Sequence, residues 1–253
     1  MVAIKDINYV KRRIEEGDSW YIGSQFEWAN RPELRPIYNK RARFILNIVS
    51  DLKQVHSSEI NLIDIGCGDG YWLSRLEHIE NLNLSGIDFN PVRVGRATQN
   101  APSARIMHSN LGDIYSMAEK QLYDIVLFSH VIEHIHDDLA ALQAVRSVLK
   151  PNGILILGAP NEGSMLQQYA LKRSGVLHTT DHVHFYTEKE VRTKIKNAGF
   201  KLKKTMREAF YPGTDRVYYG LVKRPIGFKI LSGLSVIFPS QCSGYFFACE
   251  KVN

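Results

Sequence analysis

Residues Asn61 to Gly70 read Asn-Leu-Ile-Asp-Ile-Gly-Cys-Gly-Asp-Gly, and no other stretch constrains the fold as strongly. An apolar strand over 62–65, carrying one acid, Asp64, runs into glycines at alternate positions, Gly66, Gly68 and Gly70. A helix is expected over 70–79. Glycine lets the chain reverse sharply and admits a ligand to the main chain, because no Cβ intervenes. Free N–H groups at the start of a following helix favour an anionic ligand group. The run therefore predicts a strand–turn–helix unit that cradles a nucleotide-type cofactor. Its spacing is G-x-G-x-G, not the G-x-G-x-x-G of the dinucleotide fingerprint. A second apolar strand, 84–88, ends in another acid, Asp88. An acid about 20 residues beyond the glycines suits hydrogen bonding to ribose hydroxyls.

From Asn61 onward strands and helices alternate. Strands are expected at 104–108, 123–128, 154–159, 201–210 and 244–252. Helices are expected at 91–99, 137–149 and 187–198, with a short one at 163–172 inside a long loop, 161–185. Pro91 suits a first helical position, and Lys150-Pro151-Asn152-Gly153 is a stop signal. Alternating elements with continuous apolar strands argue for a mainly parallel sheet covered on both faces. Ligands bind such sheets beyond the carboxyl ends of the strands. Residues 1–58 read as a polar helical segment with aromatic insertions (Trp20, Tyr21, Phe26, Trp28), including an amphipathic helix over 32–52. This segment is expected as a helical cap, either packed on the core or closing as a lid; the remaining chain, 59–253, forms one domain.

The bulk numbers set wide bounds. A chain of 253 residues can bury a large core. The net charge of +6 is compatible with an anionic partner, but the basic residues are scattered. Cys67, Cys242 and Cys249 form no CxxC pair, which points to a reducing compartment. No signal-peptide pattern and no apolar run of about 18 residues is evident. The expected address is the cytoplasm, with peripheral membrane contact as an addition.

Taken in order, the landmarks resemble those of the class I S-adenosylmethionine-dependent methyltransferases over roughly residues 55–205. Asp64 to Gly70 resembles motif I, and Gly86-Ile-Asp-Phe89 the ribose and adenine segment. Ser109-Asn-Leu111, Tyr123 to His134, Leu149 to Leu155, and Asp181-His-Val-His-Phe-Tyr-Thr187 with Gly199-Phe200 match later landmarks. The nearest likeness is to the type 11/23 subgroup, which includes ubiquinone-biosynthesis and sugar or cell-envelope O-methyltransferases. The resemblance implies a Rossmann-like fold with a seven-stranded, mainly parallel sheet and S-adenosylmethionine as cofactor. It places cofactor binding on Asp64, Gly66, Cys67, Gly68, Asp88, Phe89, Asn110, Leu111 and Ser129. The implied acceptor is a small molecule, a sugar or a lipid-linked precursor, methylated on oxygen. RNA-binding signatures are missing, so nucleic acid is not an expected partner. The rivals are an NAD-dependent oxidoreductase, which would want the third glycine of its fingerprint, and a silent cofactor-binding protein of the same fold.

Six of the nine histidines lie in residues 130–184. A hydroxyl acceptor must lose a proton, and imidazole suits that near neutral pH. His130, directly after the fourth strand, is the first candidate base, followed by His182 and His184. The alternative is that His130 and His134 only orient the loop. His130-Val-Ile-Glu133-His134 also matches an H-x-x-E-H metal pattern. It is similar to the E-x-x-E-H run of metal-dependent 2′-O-methyltransferases of RNA, with His130 replacing the first acid. No metal is expected, and Glu133 and His134, with one of His182 or His184, are the residues that would hold one. The apolar run 226–238, flanked by Lys223 and Arg224, packs on the sheet, forms a dimer contact, or docks on a membrane.

Overall fold

The structure is a computed structural model that describes residues 7–55, 58–110, 113, 122–175 and 181–252. Leu111, named above, lies outside those residues. Among the described residues four helices precede the first strand: α1 (Ile7–Glu15), α2 (Ser19–Ile22), α3 (Gln25–Asn30) and α4 (Arg35–Val55). The alternating part follows as β1 (Ile60–Ile65), α5 (Tyr71–Leu76), β2 (Leu82–Asp88), α6 (Pro91–Asn100), β3 (Arg105–His108), β4 (Tyr123–Ser129), α7 (Asp138–Val148) and β5 (Leu149–Pro160). Then come α8 (Met165–Ser174), α9 (Glu188–Asn197), β6 (Phe200–Arg207), α10 (Asp215–Val222), α11 (Pro225–Ile237) and β7 (Gly244–Lys251). The strands form one seven-stranded sheet in the order β3-β2-β1-β4-β5-β7-β6. β7 runs antiparallel to both its neighbours, and the other pairs are parallel. The expected Rossmann-like fold is present, and the elements α10 and α11 are additions that periodicity did not delimit. α5 stops at Leu76, so the helix after the glycines is shorter than the expected 70–79.

Strand alternation sorts the core into two layers, because successive side chains point to opposite faces. Ile63, Val126, Phe128, Leu155, Leu157, Tyr245 and Phe247 pack with α7 and α9 on one face. Leu62, Ile125, Leu127, Ile156 and Phe246 pack with α4, α5 and α6 on the other. α4 therefore serves as a layer helix of the sheet, through the buried Ala42, Ile45, Ile48 and Val49. A third, smaller core gathers Tyr211, Tyr218, Val222 and Leu231 against Ile37 of α4.

A buried ion pair ties α4 to the far edge of the sheet. β6 ends where Glu208 turns inward to Arg41, Nε to Oε1 at 2.5 Å, with the Ser243 hydroxyl donating at 3.0 Å. Burial alone would raise the Glu208 pKa; the Arg41 charge and hydrogen bond outweigh it and hold the carboxyl below its ordinary value. A depressed carboxyl stabilises the fold above its unfolded value, near 4.3 for Glu, and that contribution is lost as pH falls through the folded value. Glu208→Ala should cost about 3–5 kcal/mol at pH 7, since it strands a buried guanidinium. Urea melts of both proteins at pH 7 and across pH 3–5 would show this, with the variant losing less stability than wild type on acidification.

Candidate active site

β1 is flanked by β2 on one side and β4 on the other, so the chain winds outward in both directions from it. The crevice beyond the carboxyl ends of these strands is where such sheets bind ligands. Asp88 ends β2 at this point, and Gly66 and His130 directly follow β1 and β4. Gly66 sits at φ 76°. A Cβ there would lie 2.4 Å from Cγ2 of Val131, so the loop packs against the β4 turn only because the residue is glycine.

The loop amides do not wait for an anion. Gly66 N–H and Cys67 N–H donate to the Ile87 carbonyl at 2.8 and 2.9 Å, and Gly70 N–H donates to the Cys67 carbonyl at 3.0 Å. Gly68 N–H donates to Asp88 Oδ2 at 2.8 Å, and Asp88 Oδ1 accepts from Asn90 N–H at 2.8 Å. The loop is thus wired to β2 and to itself, with the buried acids Asp64, Asp69 and Asp88 around it. Burial raises the Asp88 pKa, with Arg93 and the two backbone donors opposing. Burial, followed by repulsion from Asp88, raises that of Asp64 well above the usual range. Neither Asp64 oxygen has a hydrogen-bond partner among the described residues.

A pocket of about 130 Å³, open at its mouth, lies in this crevice. Gly66, Asp88, Phe89, Asn110 and His130 line it, joined by Ile65, Ile87, Ser109 and Val131. The N-terminal segment closes one side. Tyr21 lines the pocket, its carbonyl accepts from Asn90 Nδ2 at 2.9 Å, and its hydroxyl donates to Asp181 at 3.1 Å. Arg96 donates to the carbonyls of Ile22 and Gly23 at 2.6 and 3.1 Å, and Gln25 N–H donates to Asp69 at 2.8 Å.

The histidines divide into two groups. His130 adopts φ 56° and lines the pocket, with Nδ1 3.4 Å from Oε1 of the buried Glu133. Its Nε2 is sequestered and has no hydrogen-bond partner among the described residues. Burial opposes ionisation of Glu133, but His130 at 3.4 Å, then the charges of His134 and His182, hold its pKa below the ordinary value; neither Glu133 oxygen makes a hydrogen bond among the described residues. His134 lines the pocket with Nδ1 3.2 Å from Asp181. The His182 ring lies 4.7 Å from that of His134, and its Nδ1 is 2.6 Å from Glu162. Glu133, His134 and His182 each offer a ligand atom within 4.8 Å of the others. His184 stands apart: it stacks on Tyr186, with Nε2 3.2 Å from the His136 carbonyl, and is not part of the pocket wall.

The structure thus brings Gly66, Asp88, Phe89, Asn110 and His130 to one pocket. Cys67 turns its thiol into the core beneath the loop, where burial pushes its pKa well up. Ser129 is the last residue of β4, in register with Gly158, and is not among the pocket-lining residues. Tyr21, Asn90, Val131, Ile135 and Asp181 join the site without having been singled out for it. The sequence signals for them were the aromatic run around Tyr21, the helix start at Pro91, and the landmark runs Tyr123 to His134 and Asp181 to Thr187.

The sequence profile described as "Methyltransferase domain" matches residues 38–205. The chain is 29% identical, over 151 residues, to a 37.1 kDa protein in transposon TN4556 of Streptomyces fradiae, covering 56% of this chain and 43% of that protein. It is 25% identical, over 171 residues, to a ubiquinone biosynthesis O-methyltransferase of Parvibaculum lavamentivorans, covering 62% of this chain and 65% of the relative. The chain therefore spans less than two thirds of the length of either. Magnesium protoporphyrin IX methyltransferase from Synechocystis PCC 6803, solved with bound SAH, superposes with a TM-score of 0.61 at 16% identity, covering 98% of this chain and 100% of that one. With the profile matching more than half of its length and the strand order β3-β2-β1-β4-β5-β7-β6, this chain belongs to the methyltransferase-domain family and has the class I S-adenosylmethionine-dependent methyltransferase fold.

Proposed function

We propose that the protein is an S-adenosylmethionine-dependent methyltransferase that methylates a hydroxyl oxygen of a small-molecule, sugar or lipid-linked acceptor. The observation that carries this reading is the His130 imidazole, its Nδ1 3.4 Å from the buried Glu133 carboxylate, on the wall of the pocket that begins at Gly66. The residues fit this cofactor better than a dinucleotide. A diphosphate wants free loop amides, and those of Gly66, Cys67, Gly68 and Gly70 are taken. The buried acids Asp64 and Asp88 suit instead a ligand with an ammonium and ribose hydroxyls. When bound, the cofactor supplies a methyl group on a sulfonium sulfur. Asp88 would hold the ribose, and Phe89 and Asn110 the adenine end. His130, with the Glu133 carboxylate 3.4 Å from its Nδ1, would take the acceptor proton, and its Nε2, covered in this structure, would have to be uncovered as the acceptor enters. The segment 19–30 acts as a lid that excludes water. The O-methyltransferase relative supports oxygen as the nucleophile.

Incubating the protein with methyl-labelled S-adenosylmethionine and a cell extract split into lipid, RNA, polysaccharide and small-molecule fractions tests this. Label in the small-molecule, polysaccharide or lipid fraction names the acceptor class. Label confined to RNA, or cofactor binding with no label in any fraction, would sink the proposal.

The close grouping of Glu133, His134 and His182 favours a second reading, in which a divalent ion assists near the acceptor. The carboxylates beside both imidazoles would suit ligand orientation as well as a plain hydrogen-bonded network. Under the first reading, protein stripped with a chelator should retain full turnover. Loss on stripping, restored by one divalent metal, would establish the second.

A further inference from the structure

α11 is built inside out. Its buried stripe consists of the small or modest residues Gly227, Leu231 and Ser235, while Ile226, Ile230, Val236 and Ile237 face solvent. Ile226, Ile230, Gly233 and Ile237 fall at helical spacing on one side, and Phe238 extends the patch. Scattered exposed apolar residues need no explanation, but a contiguous run on one short helix does. Lys229 is the one charged residue of the helix.

Beside this helix runs an open groove between α4 and α11. Arg35, Lys40, Arg43, Lys223 and Lys229 line it, and no carboxylate does. Lys40 is committed to the Glu208 carbonyl and lies near Ser232. Among the described residues, Arg35, Arg43, Lys223 and Lys229 have no ion-pair partner. An apolar helix face bordered by unneutralised cations matches the two layers of an anionic bilayer surface, acyl chains and phosphates. A two-fold contact between copies would set these cations against their own counterparts, which counts against a dimer. Among the described residues no helix is long and apolar enough to cross a membrane, so the contact would be peripheral.

We propose that α11 and the α4–α11 groove form a docking surface for an anionic membrane, with α11 lying in the plane of the headgroups and Arg35, Arg43, Lys223 and Lys229 on lipid phosphates. This goes beyond methyl transfer and does not rest on it.

Sedimentation of the full chain with phosphatidylcholine vesicles, with and without one quarter phosphatidylglycerol, tests the proposal. The protein should pellet with the anionic vesicles, poorly with the neutral ones, and less as salt rises. Arg43→Gln with Lys229→Gln should weaken partitioning roughly 30-fold, from about five-fold per cation near the surface. Ile230→Asp and Ile237→Asp, at exposed positions, should each weaken it at least about tenfold. S-adenosylhomocysteine affinity and the thermal midpoint, unchanged in all variants, would show that they are folded. No pelleting with anionic vesicles, or pelleting indifferent to these variants, overturns the docking surface. So would a homodimer in solution that Ile237→Asp dissolves, or RNA binding lost in the cation variant with no vesicle binding in wild type.

Discussion

Asp88→Ala should weaken binding of S-adenosylhomocysteine at least about 100-fold in a calorimetric titration and lower the thermal midpoint. The first effect follows from the proposed ribose contact, since each hydrogen bond to a charged group is worth about 1.5–3 kcal/mol and two would be lost. The second follows from what Asp88 already holds. Its two oxygens accept from Gly68 and Asn90 at 2.8 Å each, so alanine leaves two buried N–H groups without an acceptor. Each such orphan costs about 1–3 kcal/mol, offset in part because a buried carboxylate no longer has to be desolvated. Asp88→Asn, which keeps one acceptor oxygen, should fall between. Unchanged affinity in a folded Asp88→Ala protein would remove the residue from the cofactor site and leave it a purely structural clamp on the glycine loop.

His130→Ala should leave cofactor affinity intact and lower label transfer to the acceptor by about 10²–10⁴, the usual worth of a positioned general base. His130 carries no described hydrogen bond to the glycine loop or to Asp88, which is why binding should survive. Glu133→Gln should lower turnover less, because the amide can still accept from Nδ1 if its oxygen faces His130. It would no longer stabilise the protonated ring. A His130→Ala enzyme with wild-type turnover would shift the role of base to His134 or His182, or to no residue at all.

The β1–glycine–β2 unit was legible because its signals are local: an apolar run, three glycines, and a second acid at a fixed distance. The sheet followed from strands apolar on both faces, and α7 from the stop at Lys150 to Gly153. What the amides of the loop do was not legible. Their partners, Ile87 and Asp88, arrive from a different strand. Nor was the site wall formed by Tyr21 and Asp181, which meet across 160 positions of sequence. His182 and His184, two apart, look equivalent as text; the bend at Val183 and the hydrogen bonds from Val183 and His184 N–H to the Glu133 carbonyl send them to different surroundings. The run 226–238 is apolar almost throughout, so periodicity could not tell which side would be covered.

The bonds from Asn90, Arg96 and Asp69 to residues 21–25 also bear on time. If residues 19–30 are the lid proposed above, a molecule seated beneath Tyr21 leaves only as often as those bonds open together, an event on the microsecond-to-millisecond scale for a short segment. If opening is slower than methyl transfer, the first turnover outruns all later ones, and solvent viscosity rather than acceptor reactivity sets the steady rate. Loosening Arg96, which touches no reacting atom, would then make the enzyme faster.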